Sequence, residues 1–307
     1  MAGESRTAVI AAIFGNLAIA SIKLVTAAFS GSASMLAEAI HSVVDTGNGA
    51  LMLHGMRRSR RPPDAAHPLG YGHELYFWTL MVGVLIFGLG GGMSIVSGIV
   101  HVLHATPAED AWWSYAVLGA AAVFEGASWY FGYRAFRVER RGRGIVTTIR
   151  DTKNPSAFAV LLEDSAALVG LGLAFLGIFL SSRLGAPWID GAFSVLIGVL
   201  LCGIAIVMVY ESMGLLVGEG MDEHALAELR AIVSADPHVC HVDRLLTMYL
   251  GPDEVLLAIT LRTAPDTKIS ELRRAIASIK REIRRRYPKV RRIYLDTASI
   301  HDRPSGA

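Results

Sequence analysis

Residues 34–55 read SMLAEAIHSVVDTGNGALMLHG, a stretch apolar enough to lie in a bilayer that nevertheless carries His41 and Asp45 four residues apart. On an α-helix that spacing places both side chains on one face, one turn apart, with Cβ atoms about 5–6 Å from each other. A single turn therefore supplies two ligands for one small cation. An ionisable residue deep in a membrane helix costs at least about 2.5–3.5 kcal/mol, so it faces a partner, a cavity or a transport path. The blander alternative is a pair of buried polar groups that hydrogen-bond between helices, and an intramembrane charge favours the functional reading over it.

Outward from this stretch, apolar windows at about 7–29, 33–55, 77–103, 112–136, 156–181 and 188–214 each approach or exceed the 20 or so residues a bilayer core needs. The expected architecture is an all-α six-helix transmembrane bundle. The whole chain of 307 residues agrees, being 52% hydrophobic and only 18% charged. Its formal net charge of +2 is small, but the basic residues are localised. Arg57, Arg58, Arg60 and Arg61 follow the second window, and Arg137, Arg140, Arg141, Arg143, Arg150 and Lys153 follow the fourth. These loops are expected to be cytoplasmic. The alternate connections are short or acidic: Ser30 to Ser32, the Glu109-Asp110 turn, and Ser181 to Pro187 with a lone Arg183. Both termini then fall on the cytoplasmic side. The first window is longer than a signal-peptide core and no clear A-x-A site comes before the next span, so it reads as a retained helix. With no organelle presequence ahead of it, the cell membrane is the expected location. Cys202 and Cys240 form no C-x-x-C pair and specify neither a disulfide framework nor a structural zinc knuckle.

Glycine is concentrated in the spans, at GLGGG (88–92) and at Gly170, Gly172 and Gly177. Small residues let membrane helices approach closely, so packing is the expected role, with a hinge as the alternative.

Residues 1–214 are thus the expected transmembrane domain and 215–221 a linker. From Asp222 to about residue 300 the composition is that of a small α+β domain, followed by a tail at 301–307. DEHALAELRAIVSADP carries a helical stripe of Leu226, Leu229, Ile232 and Val233 behind Asp222 at an N-cap position. VDRLLTMYL and EVLLAITLRT are strands around a Gly251-Pro252-Asp253 turn, the second alternating Val255, Leu257, Ile259 and Leu261 on one face. A second helix repeats Leu272, Ile276, Ile279 and Ile283, and VRRIYLDTA is the last strand. The order α-β-β-α-β suits an open-faced, ferredoxin-like sheet of about 80 residues, near the lower size at which domains fold alone, so pairing with a second copy is expected to stabilise it. The run Arg281-Glu282-Ile283-Arg284-Arg285-Arg286 reads as a charged face beside an anionic membrane surface, and no nucleic-acid partner is expected.

The fifth window contains LLEDSAALVG, with Glu163 and Asp164 adjacent inside an apolar span. Two such acids become tolerable when they converge on a cation or hold a proton. His41, Asp45, Glu163 and Asp164 offer one nitrogen and up to three carboxylates, a donor set suited to tetrahedral Zn²⁺, with Mn²⁺, Fe²⁺, Co²⁺ and Cd²⁺ left open. The absence of thiolate disfavours Cu(I). Three carboxylates exceed the charge of a divalent ion, so one acid is expected to stay protonated or to stand back from the metal, Glu163 being the candidate.

The pattern as a whole resembles the cation diffusion facilitators. The resemblance is carried by SASMLAEAIHSVVD, by DAAHPLGYGHELYFW after it, by the acidic fifth span and by the α-β-β-α-β tail, and it covers nearly the whole chain. It implies a homodimeric exporter rather than an enzyme, one that moves Zn²⁺ or a related divalent ion out of the cytoplasm by alternating access in exchange for H⁺. On this resemblance His41, Asp45 and Asp164 match transport-site ligands. Three positions depart from the family pattern. Val160 stands where a histidine is common, and Glu163, three residues on, is the replacement donor. Asp64 and His67 match a loop site whose third ligand is replaced by Tyr71, with His73 as a nearby substitute. Leu295 stands where relatives place a metal-binding histidine, which leaves His238, His241 and His301 as solvated or structural. The Glu-Asp pair resembles a branch that includes mitochondrial zinc-exporting homologues.

Asn16, Asn48 and Asp190 are expected to hydrogen-bond between helices rather than to ligate. His54, His101 and His104 sit at span ends, where a histidine needs no special role. Lys23 and Glu125 form a pair or join a proton route, if they meet. Among rival functions, a channel would move metal without proton counterflow. A membrane metallohydrolase lacks its H-E-x-x-H pattern. A metal sensor or scaffold working through 222–300 would be indifferent to His41 and Asp45.

Overall fold

The structure is a computed structural model that describes residues 2–104, 111–140, 155–264 and 267–298. The Glu109-Asp110 turn, the basic residues Arg141, Arg143, Arg150 and Lys153, and His301 lie outside these residues, as do the side chains of Arg137, Arg140 and Val160. Among the described residues, six long helices precede a small sheet domain: α1 Ala2–Ser30, α2 Ala33–Ser59, α3 Glu74–Leu103, α4 Ala111–Arg140, α5 Pro155–Leu184 and α6 Trp188–Val217. Three segments are long and apolar enough among the described residues to cross a membrane: α3, Leu161–Leu184 of α5, and α6. The apolar part of α1, Asn16–Ser30, is shorter. Large apolar side chains such as Val25, Phe29, Val96, Leu103, Val199 and Ile206 lie exposed on the helices, a surface suited to lipid rather than water.

The chain divides into two compact units, residues 1–57 with 74–213, and residues 58–73 with 214–307. In the helical unit, the turn between α1 and α2 is made by Gly31, whose φ of 63° only glycine adopts without strain. Ser32 then caps α2, its Oγ accepting from Met35 N at 3.1 Å. A second cap comes from far along the chain. Asp190, at the start of α6, accepts from Ala33 N at 2.6 Å and from Ser34 N at 3.3 Å, and also takes the Ser34 hydroxyl hydrogen. A carboxylate at a helix N-terminus is favoured by the helix dipole as well as by the orphan N–H groups. Asp190→Asn is therefore expected to lower stability by about 1–2 kcal/mol, read as a lower melting temperature in detergent; an unchanged melting temperature would remove this cap from the account.

The glycines of α3 and α6 let the two backbones touch. A Cβ on Gly98 would stand 2.6 Å from Gly191 O, and one on Gly198 would stand 2.7 Å from Gly91 O. Within α3 the segment Ile86–Gly92 is a π-helix, and the helix resumes at Met93. Gly88 meets no neighbour, whereas Gly91 packs on Cys202, so the GLGGG cluster serves packing on one face only. In α5, Gly170 faces Glu38 and Gly177 faces Phe193, while Gly172 is open. α4 packs along α5 and touches α1, with Trp129 Nε1 donating to Ser165 Oγ at 3.0 Å and Tyr115 against Phe175 at 5.3 Å between ring centres.

In the second unit, α7 Glu223–Ser234, β1 Val239–Gly251, β2 Glu254–Thr263, α8 Ile269–Arg286 and β3 Val290–Ala298 follow in order. Asp222 caps α7 by accepting from Ala225 N at 2.8 Å. β1 and β2 pair antiparallel through the Gly251–Glu254 turn, while β2 and β3 pair parallel, as a helical crossover requires. Val255, Leu257, Ile259 and Leu261 are all buried on one face of β2. The stripe of α8 that is fully buried is Ala275, Ile279 and Ile283, with Leu272 and Ile276 at its margin. Glu228 of α7 joins the helices, accepting from Tyr287 Oη at 2.7 Å and Arg286 Nε at 3.1 Å. Burial, and with it the bond to Glu228, holds the Tyr287 hydroxyl up at about 12. In the arginine run, Arg285 forks onto Glu282 at 2.9 and 2.6 Å. Leu295 is half-buried in β3, and His241 is exposed near Asp243.

Candidate metal site in the helical unit

α2 turns Glu38, His41, Ser42, Asp45 and Asn48 toward its neighbours, since positions three and four apart share a helical face. His41 and Asp45 stand together as their spacing requires, Nε2 to Oδ2 3.4 Å, with the side chains 2% and 17% exposed. Glu163 approaches through Asn48, whose Nδ2 donates to Glu163 Oε1 at 3.2 Å. Asp164 points instead toward α4 and accepts from Ser128 Oγ at 2.9 Å. Among the described residues no three His, Cys, Asp or Glu side chains stand close enough to hold a metal ion together. The structure thus brings Glu163 to the next turn of α2 and leaves Asp164 hydrogen-bonded to one side.

The polar atoms here are under-satisfied. His41 Nδ1, Asp45 Oδ1 and Asn48 Oδ1 are buried without a hydrogen-bond partner. Such groups in a native interior call for an explanation, a bound ion among them. Asp45 also feels the charges of Glu163, Glu125, Lys23 and Glu38, so the acids of three helices share one field. Lys23 does not pair with Glu125. Its Nζ donates to Glu38 Oε2 at 3.2 Å and to Ser42 Oγ at 2.7 Å, Lys23 and Glu38 having no exposure and Ser42 being buried. Sequence reading flagged Lys23 as a charge in need of a partner and passed over Glu38, whose place on the ligand face of α2, one turn before His41, was the available signal.

The loop residues lie in the other unit. Asp64 Oδ1 accepts from His67 N at 2.7 Å, and Asp64 Oδ2 takes the Tyr71 hydroxyl hydrogen at 2.6 Å. His67 Nδ1 is 3.5 Å from Asp64 Oδ1, and its ring lies 4.2 Å from that of Tyr71. His73 turns away, with Nε2 3.0 Å from Tyr249 O. Tyr71 therefore occupies the carboxylate oxygen that a metal would need. Its hydrogen bond holds the Asp64 carboxyl below the usual carboxylate range. A depressed carboxyl contributes stability above its unfolded value of about 3.9 and loses it as pH falls through the folded value. Tyr71→Phe is expected to move the Asp64 titration up toward about 3.9, as followed by carboxyl NMR; a titration that stays put would show the hydrogen bond to be idle.

A membrane-embedded helical unit with an acid-and-histidine cluster between its helices, joined to a small sheet domain, defines a class of ion-handling membrane proteins. A model of the cation efflux transmembrane domain matches residues 9–217, and the chain belongs to that family, whose members are transporters and not enzymes. It is 32% identical over 257 residues to a mitochondrial proton-coupled zinc antiporter of Xenopus laevis, covering 83% of this chain and 46% of that protein. Metal tolerance protein C4 of Arabidopsis thaliana is 32% identical over 253 residues, 81% of this chain and 55% of its own length. The chain spans about half the length of these two relatives. The magnetosome protein MamB of a Magnetospira strain is 22% identical over 290 residues, 94% of this chain and 93% of MamB.

Proposed function

We propose that the protein exports a divalent metal cation, Zn²⁺ first, in exchange for protons, by alternating access in a membrane crossed by all six helices. The observation that carries this reading is the His41–Asp45 pair, buried in the helical unit with unpartnered donor and acceptor atoms. His41, Asp45 and Asp164 are the proposed ligands, and Glu163 is the fourth donor or the acid that stands back. The names of two relatives, a proton-coupled zinc antiporter and a metal tolerance protein, support the same cargo class. The second unit is proposed to be a ferredoxin-like cytoplasmic domain at 222–300 that pairs with a second copy. Both termini are then cytoplasmic, and the cell membrane is the proposed location. Asp64, His67 and His73 remain the proposed components of a second loop site, for which Tyr71 would have to release Asp64.

Exporting a divalent ion against an inside-negative potential costs about 4.6 kcal/mol at 100 mV before any concentration gradient. Inward protons offset that cost, because imidazole and carboxylate ligands bind metal only when deprotonated. Protonation of His41 and one carboxylate is the proposed trigger for release. In proteoliposomes, Zn²⁺ flux should rise with an imposed pH gradient and fall when a protonophore collapses it. Flux that ignores the gradient would favour a channel instead.

A further inference from the structure

Lys23 is placed where its charge bears on the proposed cargo. The ammonium sits in α1 with no solvent exposure and donates to Ser42 Oγ at 2.7 Å. Ser42 is the neighbour of His41, and Asp45 lies three residues further, about 4.5 Å along the helix axis. Glu38, the ion-pair partner, lies one turn before His41 and seven residues or about 10 Å of rise before Asp45. Its Oε2 takes the ammonium at 3.2 Å, and its Oε1 is buried without a hydrogen-bond partner. If the pair only joined α1 to α2, apolar side chains of similar volume would do as well, since desolvation consumes most of the attraction of a buried ion pair. Both charges bear on the cluster, but the ammonium, which also reaches Ser42, stands nearer to Asp45 along the helix than the Glu38 carboxylate does. His41, Asp45 and Glu125 all lie within the field of Lys23. Against Asp45, Glu125, Glu163 and Asp164, a divalent ion would be held by more negative charge than it can neutralise, and a transporter must let its cargo go.

We propose that Lys23 is a fixed counter-charge that weakens divalent-cation binding at the His41–Asp45 site and so sets the rate of release, acting through its field without ligating the metal. It is a positioning residue, oriented by Glu38 and Ser42. This inference rests on the reading of His41 and Asp45 as the transport site.

The test is Zn²⁺ affinity of the purified full-length protein, by competition with a chromophoric chelator, with thermal unfolding measured beside it. Lys23→Met/Glu38→Gln removes both charges while keeping volume and should bind Zn²⁺ about tenfold or more tightly than wild type, with slower turnover and lower KM in vesicles. Glu38→Gln, which leaves the ammonium unopposed, should weaken binding by a similar factor. Lys23→Arg, which keeps the charge, should stay on the wild-type side of these changes. A structural role alone would move the melting temperature and leave the affinity of the folded variants where it was. Equal or weaker binding by the double variant, or tighter binding by Glu38→Gln, overturns the proposal, and the two variants fail independently should one not fold. Asp45→Ala separates the two levels: if it binds Zn²⁺ like wild type, the site reading fails, whereas its loss of binding beside unaltered Lys23 variants sinks the counter-charge alone.

Discussion

Asp45→Ala should reduce metal-driven flux by at least about a hundredfold, because the change removes a proposed ligand outright and even residues that merely orient ligands alter metal affinity or activity by 10–100-fold. The side chain is half-buried, its Oδ1 is buried and unpartnered, and its other oxygen stands 3.4 Å from His41 Nε2. Asp164→Ala is expected to match it, and this is the more exposing half of the prediction, since Asp164 is hydrogen-bonded to Ser128 rather than to α2. If Asp164 joins the metal, it either turns from Ser128 or ligates through its other oxygen, and Ser128→Ala should leave flux intact or raise it. Glu163→Ala should cost less, and Asn48→Ala should reproduce part of its effect by freeing the Glu163 carboxylate. Proteoliposome flux comparing these variants decides the order; wild-type flux in Asp45→Ala would place the cargo elsewhere.

Gly98→Leu is the second large effect. The first atom of any side chain here would meet Gly191 O at 2.6 Å and Val195 N at 2.8 Å, both backbone atoms that cannot rotate away. α3 and α6 would have to separate, at about 3 kcal/mol or more for an overpacked interface. The matched control is Gly172→Leu in α5, where a Cβ meets nothing within 4 Å. Thermal unfolding in detergent should show a clear loss of stability in the first and little in the second. Equal behaviour would mean that the α3–α6 contact is looser than the backbone approach indicates.

What sequence could reveal depended on how local each interaction is. His41 and Asp45 were legible because four residues on a helix fix a shared face, and Asp222 because a cap acts three residues away. The alternation in β2 was legible for the same reason, a period of two read against one buried face. Asp190 was legible only as an acid that needed a partner, since the helix it caps begins 157 residues earlier. Lys23 was flagged in the same way, but its partner is Glu38 and not Glu125. Composition marked the GLGGG glycines as packing residues, yet the π-helical turn through Ile86–Gly92 has no periodic signature of its own. At the loop, Tyr71 was noted as a replaced ligand; that its hydroxyl would close onto Asp64 depends on three-dimensional placement.

The central claim is that the cargo is held by His41 and carboxylates inside the helical unit. X-ray absorption of the Zn²⁺-loaded full-length protein measures that directly. The account predicts three or four nitrogen and oxygen neighbours at about 2.0–2.2 Å, an imidazole scattering signature that disappears in His41→Ala, and no sulfur. A sulfur neighbour at about 2.3 Å, or a wild-type spectrum from the Asp45→Ala and His41→Ala variants, would contradict it.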